Sequence, residues 1–339
     1  WLKQTSATGL AMSPGCVALL LVFLPLGTLA RSTPPFPAQP NYTSPPLAEA
    51  VDALQAACDD ACVAADRDAV AAGQTAGASL VFAALACPGS RHELGVIFYG
   101  GAFVDPRAYA VLASKLAAVG LPTVVPVFPS DLSMDCTGAR AMAAAAALPA
   151  GRRWILAGHS MGGIAAIQAF GALYTGGQLN VSGIVLLGAY SRADLGCPAP
   201  HPGGNMRAYA PGMPVLEIAG AEDAVVNATK AVNNRALLPV GNRLVIISGA
   251  NHGQFGHYNS SGRIASLGPR QVDGIPTISI GQQVLLTASA ITDFARGIAK
   301  IDCGAAMVSK GAGGSLHSAV AVVLSAAAAT ALRPHGLGH

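Results

Sequence analysis

Charge is scarce in this chain: of 339 residues only 11% are Asp, Glu, Lys or Arg, and the formal net charge is +3 with no basic run. That balance offers no electrostatic footprint for nucleic acid. Aromatics are equally few, at 5%, which removes the stacking platforms that single-stranded nucleic acid needs. No internal repeat is visible, which excludes solenoids and propellers. No cysteine pair has zinc-ribbon spacing, and Cys58-x-x-x-Cys62 has no His or Cys cluster beside it, so no metal site is expected. Nor is there an uninterrupted apolar run of the roughly 20 residues that a membrane-spanning helix requires.

What is abundant is apolar residues, at 52%. That is too many for a disordered chain and ample for the core of one large α/β domain or two small ones. Short continuous apolar runs alternate with helical patterns. Strands are expected at 79–86, 95–99, 123–127, 153–157, 184–187, 215–218 and 244–247. Helices are expected after Asp105-Pro106, over 137–148, 161–175, 225–237 and 281–299. Strands that are apolar throughout, separated by helices, indicate a mostly parallel sheet covered on both faces. The fold class is therefore α/β, with one catalytic domain over 75–302.

The ends read differently. Lys3, an apolar core from Cys16 to Leu26, and small residues at Thr28 and Ala30 form the layout of a signal peptide over 1–30. A Pro- and Ser-rich linker and an Ala-rich helical segment fill 31–74. Four glycosylation sequons begin at Asn41, Asn180, Asn227 and Asn259, and six cysteines remain outside the leader: Cys58, Cys62, Cys87, Cys136, Cys197 and Cys303. Leader, sequons and an even cysteine count agree on a secretory route, so the protein is expected to be secreted or held at the cell surface. The tail over 303–339 has small residues and then an Ala-rich apolar run. It reads either as a GPI signal, giving membrane attachment, or as a disordered or loosely helical end.

The chemistry concentrates at Gly158-His159-Ser160-Met161-Gly162-Gly163. An apolar strand runs into this turn, and a helix with Ile164, Ile167, Phe170 and Tyr174 on one face leaves it. A serine on so sharp a strand–turn–helix junction is a nucleophile elbow. Its base and acid belong in loops after other strand ends, where parallel sheets bind ligands. Strand 215–218 leads to Glu222-Asp223, and strand 244–247 leads to Asn251-His252-Gly253. Asp223 is favoured over Glu222. His252 is favoured over His257, and His159 is expected to pack or bond locally. For the oxyanion, one N–H donor is expected from Met161. The other is expected from the Gly100-Gly101-Ala102 loop, Gly101 before Ala102.

The segments 96–109 (Val-Ile-Phe-Tyr-Gly-Gly-Ala-Phe-Val-Asp-Pro-Arg-Ala-Tyr), 158–163 and 249–256 (Gly-Ala-Asn-His-Gly-Gln-Phe-Gly) resemble the α/β-hydrolase superfamily over about 95–300. Within it they look like the small, nearly lidless subgroup around dienelactone hydrolase and carboxylesterase-like proteins. The chain departs from dienelactone hydrolases at the nucleophile, which is Ser160 here and Cys there. It departs from lipases in having Tyr99-Gly100 where they often have His-Gly. The resemblance implies an α/β-hydrolase fold and an acyl-enzyme on Ser160, with His252 moving the proton and Asp223 holding it. It implies no metal and no organic cofactor. Tyr99, Ala102, Phe103 and Phe255 are the expected substrate contacts, for a small-molecule ester or lipid-like substrate. The insertion 190–212 is too short for a large lid, and Cys136 and Cys197 are expected to pair across the cleft. Two rival readings stay open: a non-catalytic binding protein on a hydrolase scaffold, and an acyltransferase. Oligomeric state is not readable.

Overall fold

The computed structural model describes residues 44–57, 78–84, 93–260, 272–299 and 301, and the backbone of 322–325. The leader, the linker up to residue 43, the sequon at Asn41, Cys58, Cys62, Cys87, Cys303 and all of the tail except 322–325 lie outside the described residues. Every described residue falls in one compact unit, Pro40–His339.

Eight strands form one sheet: β1 (Ser79–Phe82), β2 (Leu94–Tyr99), β3 (Thr123–Pro126), β4 (Arg153–His159), β5 (Val181–Leu187), β6 (Val215–Gly220), β7 (Arg243–Ile247) and β8 (Val322–Ser325). Their spatial order is β1-β3-β2-β4-β5-β6-β7-β8. The six from β2 to β7 run parallel, and the edge strands β1 and β8 pair antiparallel to β3 and β7. The mostly parallel sheet expected from the apolar runs is present. The eighth strand lies inside the Ala-rich run of the tail.

The helices are α1 (Ala48–Ala57), α2 (Ala110–Ala118), α3 (Ala139–Ala146), α4 (Met161–Gly176), the short α5 (Met206–Tyr209), α6 (Ala228–Asn234) and α7 (Ile280–Ile298). A 3₁₀ turn at Pro106–Tyr109 leads into α2, and another at Arg235–Leu237 follows α6. Alternate residues of the strands feed two layers. Val96, Phe98, Ile155 and Ala157 face Leu54, Leu112, Leu116, Ile291 and Phe294 of α1, α2 and α7. Ile97, Tyr99, Trp154 and Leu156 face Ala141, Phe170, Leu173 and Met206 of α3, α4 and α5. Because both faces are covered, β2 and β6 are buried at every position. The packed body also reaches to the N-terminal side of residue 75, since Leu54 of α1 belongs to the first layer. Among the described residues no helix is long and apolar enough to cross a membrane.

Several carboxyls are buried in this body, among them one in the middle of a sheet strand. Glu217 of β6 is 1% exposed and lies 3.5 Å from Arg235 Nε, whose guanidinium is also held by the side chain and carbonyl of Asn242. Burial pushes the Glu217 carboxyl up from 4.5 to about 8, and the charge of Arg235 offsets only part of that. The folded state thus keeps a proton that the unfolded chain loses. The stabilising contribution is full below the unfolded pKa of 4.5 and drains away as pH rises through about 8. Glu217→Gln should flatten the fall of stability over that window, by an amount on the order of a few kcal/mol. Urea melts of both proteins across the window check this; parallel curves would mean the carboxyl is already ionised in the fold.

Candidate active site

Strand β4 leads into Ser160, the candidate nucleophile. Between its neighbours β2 and β5 it delivers Ser160 to the C-terminal edge of the sheet, and α4 begins at the next residue. Ser160 adopts φ 55° and ψ −119°, a left-handed conformation that costs a residue with a Cβ on the order of 1–3 kcal/mol. Packing maintains it. The Ser160 N–H donates to Leu187 O at 2.9 Å, and its carbonyl accepts from Gly163 N–H at 3.0 Å. A Cβ on Gly158 would overlap the Gly162 carbonyl, and one on Gly162 would overlap the carbonyls of Tyr99 and Gly100. Gly162→Ala therefore meets backbone on β2 that has nowhere to move, and should destabilise the protein by more than about 4 kcal/mol. Gly176→Ala, at the exposed end of the same helix, meets only the Gln178 side chain and should be tolerated. Chemical denaturation of the two variants checks the contrast.

Asp223 and His252 lie together, as expected of residues in loops after neighbouring strand ends. Asp223, three residues past β6, is buried, and its Oδ2 lies 2.8 Å from His252 Nδ1. Asp223 Oδ1 accepts the N–H groups of Val225 at 3.0 Å and Val226 at 2.6 Å. This fixes the carboxylate so that Nδ1 carries the imidazole proton and Nε2 is left as the acceptor. His252 Nε2 is buried and has no hydrogen-bond partner among the described residues, so the Ser160 hydroxyl is not bonded to it here. Such contacts are often loose before substrate arrives. The His252 ring packs on His159, the residue before the nucleophile, at 4.7 Å between centroids.

The alternatives separate cleanly. Glu222 is exposed and makes no bond to His252. His257 sits toward α1 and α2, with Glu49 and Lys115 as its charged neighbours, and burial pushes its imidazole pKa down.

The loop carrying His252 is braced by residues the sequence did not single out. Asp273 accepts the His252 N–H (3.2 Å) and the Gly253 N–H (2.7 Å). Gln283 of α7 is fully buried; its Oε1 accepts the Asn251 N–H at 3.1 Å and its Nε2 donates to the Asn251 carbonyl at 2.8 Å. The one available signal was Gln283 itself, a polar residue next to Val284 at the start of an amphipathic helix. At the N-terminal side, Ser44 N–H donates to Phe103 O (2.7 Å) and Leu47 N–H donates to His257 O (2.8 Å). The segment 44–47 thus ties the loop after β2 to the loop that carries His252.

Three expected roles need correction. The Gly101 N–H donates to the Tyr109 hydroxyl at 2.8 Å, so it is committed and does not face an oxyanion. The amides of Ala102 and Met161 have no partner among the described residues. Tyr99 is fully buried with its hydroxyl donating to Asp135 Oδ2 at 2.9 Å. It forms the floor under the elbow and has no surface to offer a substrate. Phe255 is also fully buried, packed on His159 at 5.4 Å between centroids, behind the base. Ala102 and Phe103 remain partly exposed. Phe103 holds φ 58°, and its N–H donates to the carbonyl of Asp131, itself at φ 50°.

Cys136 and Cys197 form a disulfide with Cα atoms 5.4 Å apart. It joins the loop after β3 to the loop after β5, on either side of the elbow. Among the described residues no group of three or more His, Cys, Asp or Glu side chains is placed to hold a metal ion.

The model of the Alpha/beta hydrolase family matches residues 95–263, which span β2, the elbow, Asp223 and His252. Solved structures similar to this chain include a thermophilic esterase from Thermogutta terrifontis, at 14% identity and a TM-score of 0.44, over 66% of this chain and 94% of that one. A ferulic acid esterase from Streptomyces cinnamoneus is similar at 16% identity and a TM-score of 0.43, over 62% and 68%. An alpha-beta serine hydrolase homologue from Coxiella burnetii is similar at 18% identity and a TM-score of 0.35, over 56% and 86%. No curated protein matches the chain.

Proposed function

The chain belongs to the α/β-hydrolase superfamily, and on that premise we propose that it hydrolyses carboxylic esters of small molecules through an acyl-enzyme on Ser160. The observation that carries this is the Asp223–His252 pair: a buried carboxylate holds Nδ1 at 2.8 Å and leaves a buried Nε2 with no partner among the described residues; the His252 ring packs on His159, next in the chain to a serine held at φ 55°. In this reading His252 Nε2 takes the Ser160 proton as Oγ attacks the acyl carbon. The imidazolium is stabilised by Asp223 and returns the proton to the leaving alcohol. A water, deprotonated by the same nitrogen, then releases the acid. The oxyanion is met by the amides of Met161, at the N-terminus of α4, and of Ala102. Substrate reaches Ser160 past Phe103 and the partly exposed Met161.

A secretory location belongs to the same proposal. It is supported by the signal-like leader, by the Cys136–Cys197 disulfide and by the exposure of the sequon residues Asn180, Asn227 and Asn259.

The test of activity is a panel of p-nitrophenyl esters from acetyl to octanoyl, assayed with the purified protein. Turnover that saturates with substrate supports the proposal. A folded protein that releases no nitrophenol from any member of the panel contradicts it.

A further inference from the structure

We propose that Tyr109 is the positioning residue of this site: its hydroxyl locks the oxyanion loop to the nucleophile elbow and thereby selects Ala102, rather than Gly101, as the second oxyanion donor. The inference rests on the ester-hydrolase reading of Ser160.

Tyr109 ends the 3₁₀ turn before α2 and is fully buried. It touches three of the loops that form the site. Its Oη lies 2.8 Å from the Gly101 nitrogen, in the loop after β2. The same oxygen lies 2.9 Å from Nδ1 of His159, next to Ser160 in the elbow. Its ring edges lie so close to Gly100 and Gly256 that a Cβ at either position would fall 3.0 Å or 2.9 Å from them; Gly256 is in the histidine loop. The His159 ring in turn packs on that of His252, 4.7 Å between centroids.

Proton accounting gives the arrangement a direction. Gly101 N–H is a donor only, so the phenol oxygen accepts from it. In the proposed clamp the phenol proton is directed at His159 Nδ1, with the ring proton of His159 on Nε2. Gly100-Gly101 has little conformational preference of its own, so the bond to Tyr109 sets the orientation of the Gly101 amide. With that amide turned toward the phenol, the following amide, Ala102, is the one in this loop without a partner among the described residues. One side chain thus fixes a diglycine that has little conformational preference of its own.

Tyr109→Phe in the full chain removes only the hydroxyl. With p-nitrophenyl butyrate, kcat is expected to fall about 10- to 100-fold while KM stays within about threefold of wild type, because a misplaced donor weakens the transition state and not the substrate complex. A folded variant with unchanged kcat, or with a raised KM and unchanged kcat, overturns the proposal. A second measurement does not depend on turnover or on Tyr109→Phe folding. In ¹⁵N-histidine spectra of the wild type, with the His159 signals identified by their loss in His159→Gln, Nδ1 should resonate as an unprotonated acceptor and Nε2 as protonated. A protonated Nδ1 on neutral His159 overturns the clamp whether or not the ester is cleaved. Absence of wild-type turnover counts against the ester-hydrolase reading alone, and the spectra still decide the clamp.

Discussion

Ser160→Ala is expected to lower kcat on a p-nitrophenyl ester by about 10⁵- to 10⁶-fold, with the fold intact and the residual rate coming from binding and the oxyanion donors alone. The size follows from the mechanism: without Oγ there is no acyl-enzyme, and His252 has no proton to move. Stability should change little. The strain at φ 55° belongs to any residue with a Cβ, and the backbone bonds of Ser160 to Leu187 and Gly163 do not involve its side chain. Initial rates at saturating substrate, beside circular dichroism and a thermal melt, check both halves. A variant that keeps more than about one hundredth of wild-type kcat would mean that another nucleophile carries the reaction.

Asp223→Asn should cost about 10⁴-fold in kcat for a different reason. Asn keeps the shape, and its Oδ1 still accepts the N–H groups of Val225 and Val226. Its amide nitrogen, however, replaces the Oδ2 that accepts from His252 Nδ1 at 2.8 Å. Facing a donor, Nδ1 becomes the acceptor and the imidazole proton moves to Nε2, the atom that must be free to take a proton from Ser160. The base is then held in place in the wrong tautomer. The same rate assay checks this. A loss of less than about tenfold would shift the acid role away from Asp223, and Glu222 is the neighbour to test next.

The parts of this site that follow from local pattern were legible in the chain. A strand buried on both faces shows as a mostly apolar run, even where Glu217 interrupts that of β6, which is why β2, β4, β6 and β7 were found within a residue or two of their ends. A strained turn shows in its glycines, and the overlaps at Gly158 and Gly162 give the physical reason. The pairing of Asp223 with His252 was legible because parallel strands present their C-terminal loops on one edge.

What escaped was polar and long-range. Gly100-Gly101 reads the same whether its amide faces a ligand or a phenol eight residues on, so Gly101 was assigned the wrong partner. Tyr99 ends a strand that points at the site, but the alternation of β2 sends its side chain to the α4 face, where Asp135 receives it. Asp273 and Gln283 brace the histidine loop from 20 and more residues away, and no spacing rule links them to it. Strand β8 lies in an Ala-rich stretch with weak strand propensity; its pairing with β7 supplies what the local sequence does not.

The central claim is that Ser160 is an activated nucleophile. Incubation of the purified protein with a fluorophosphonate, followed by peptide mass mapping beside Ser160→Ala, tests it most directly. A single adduct on Ser160, formed by the wild type and absent from the variant, is the expected result. A folded wild-type protein that remains unlabelled, or an adduct that persists in Ser160→Ala, would contradict it.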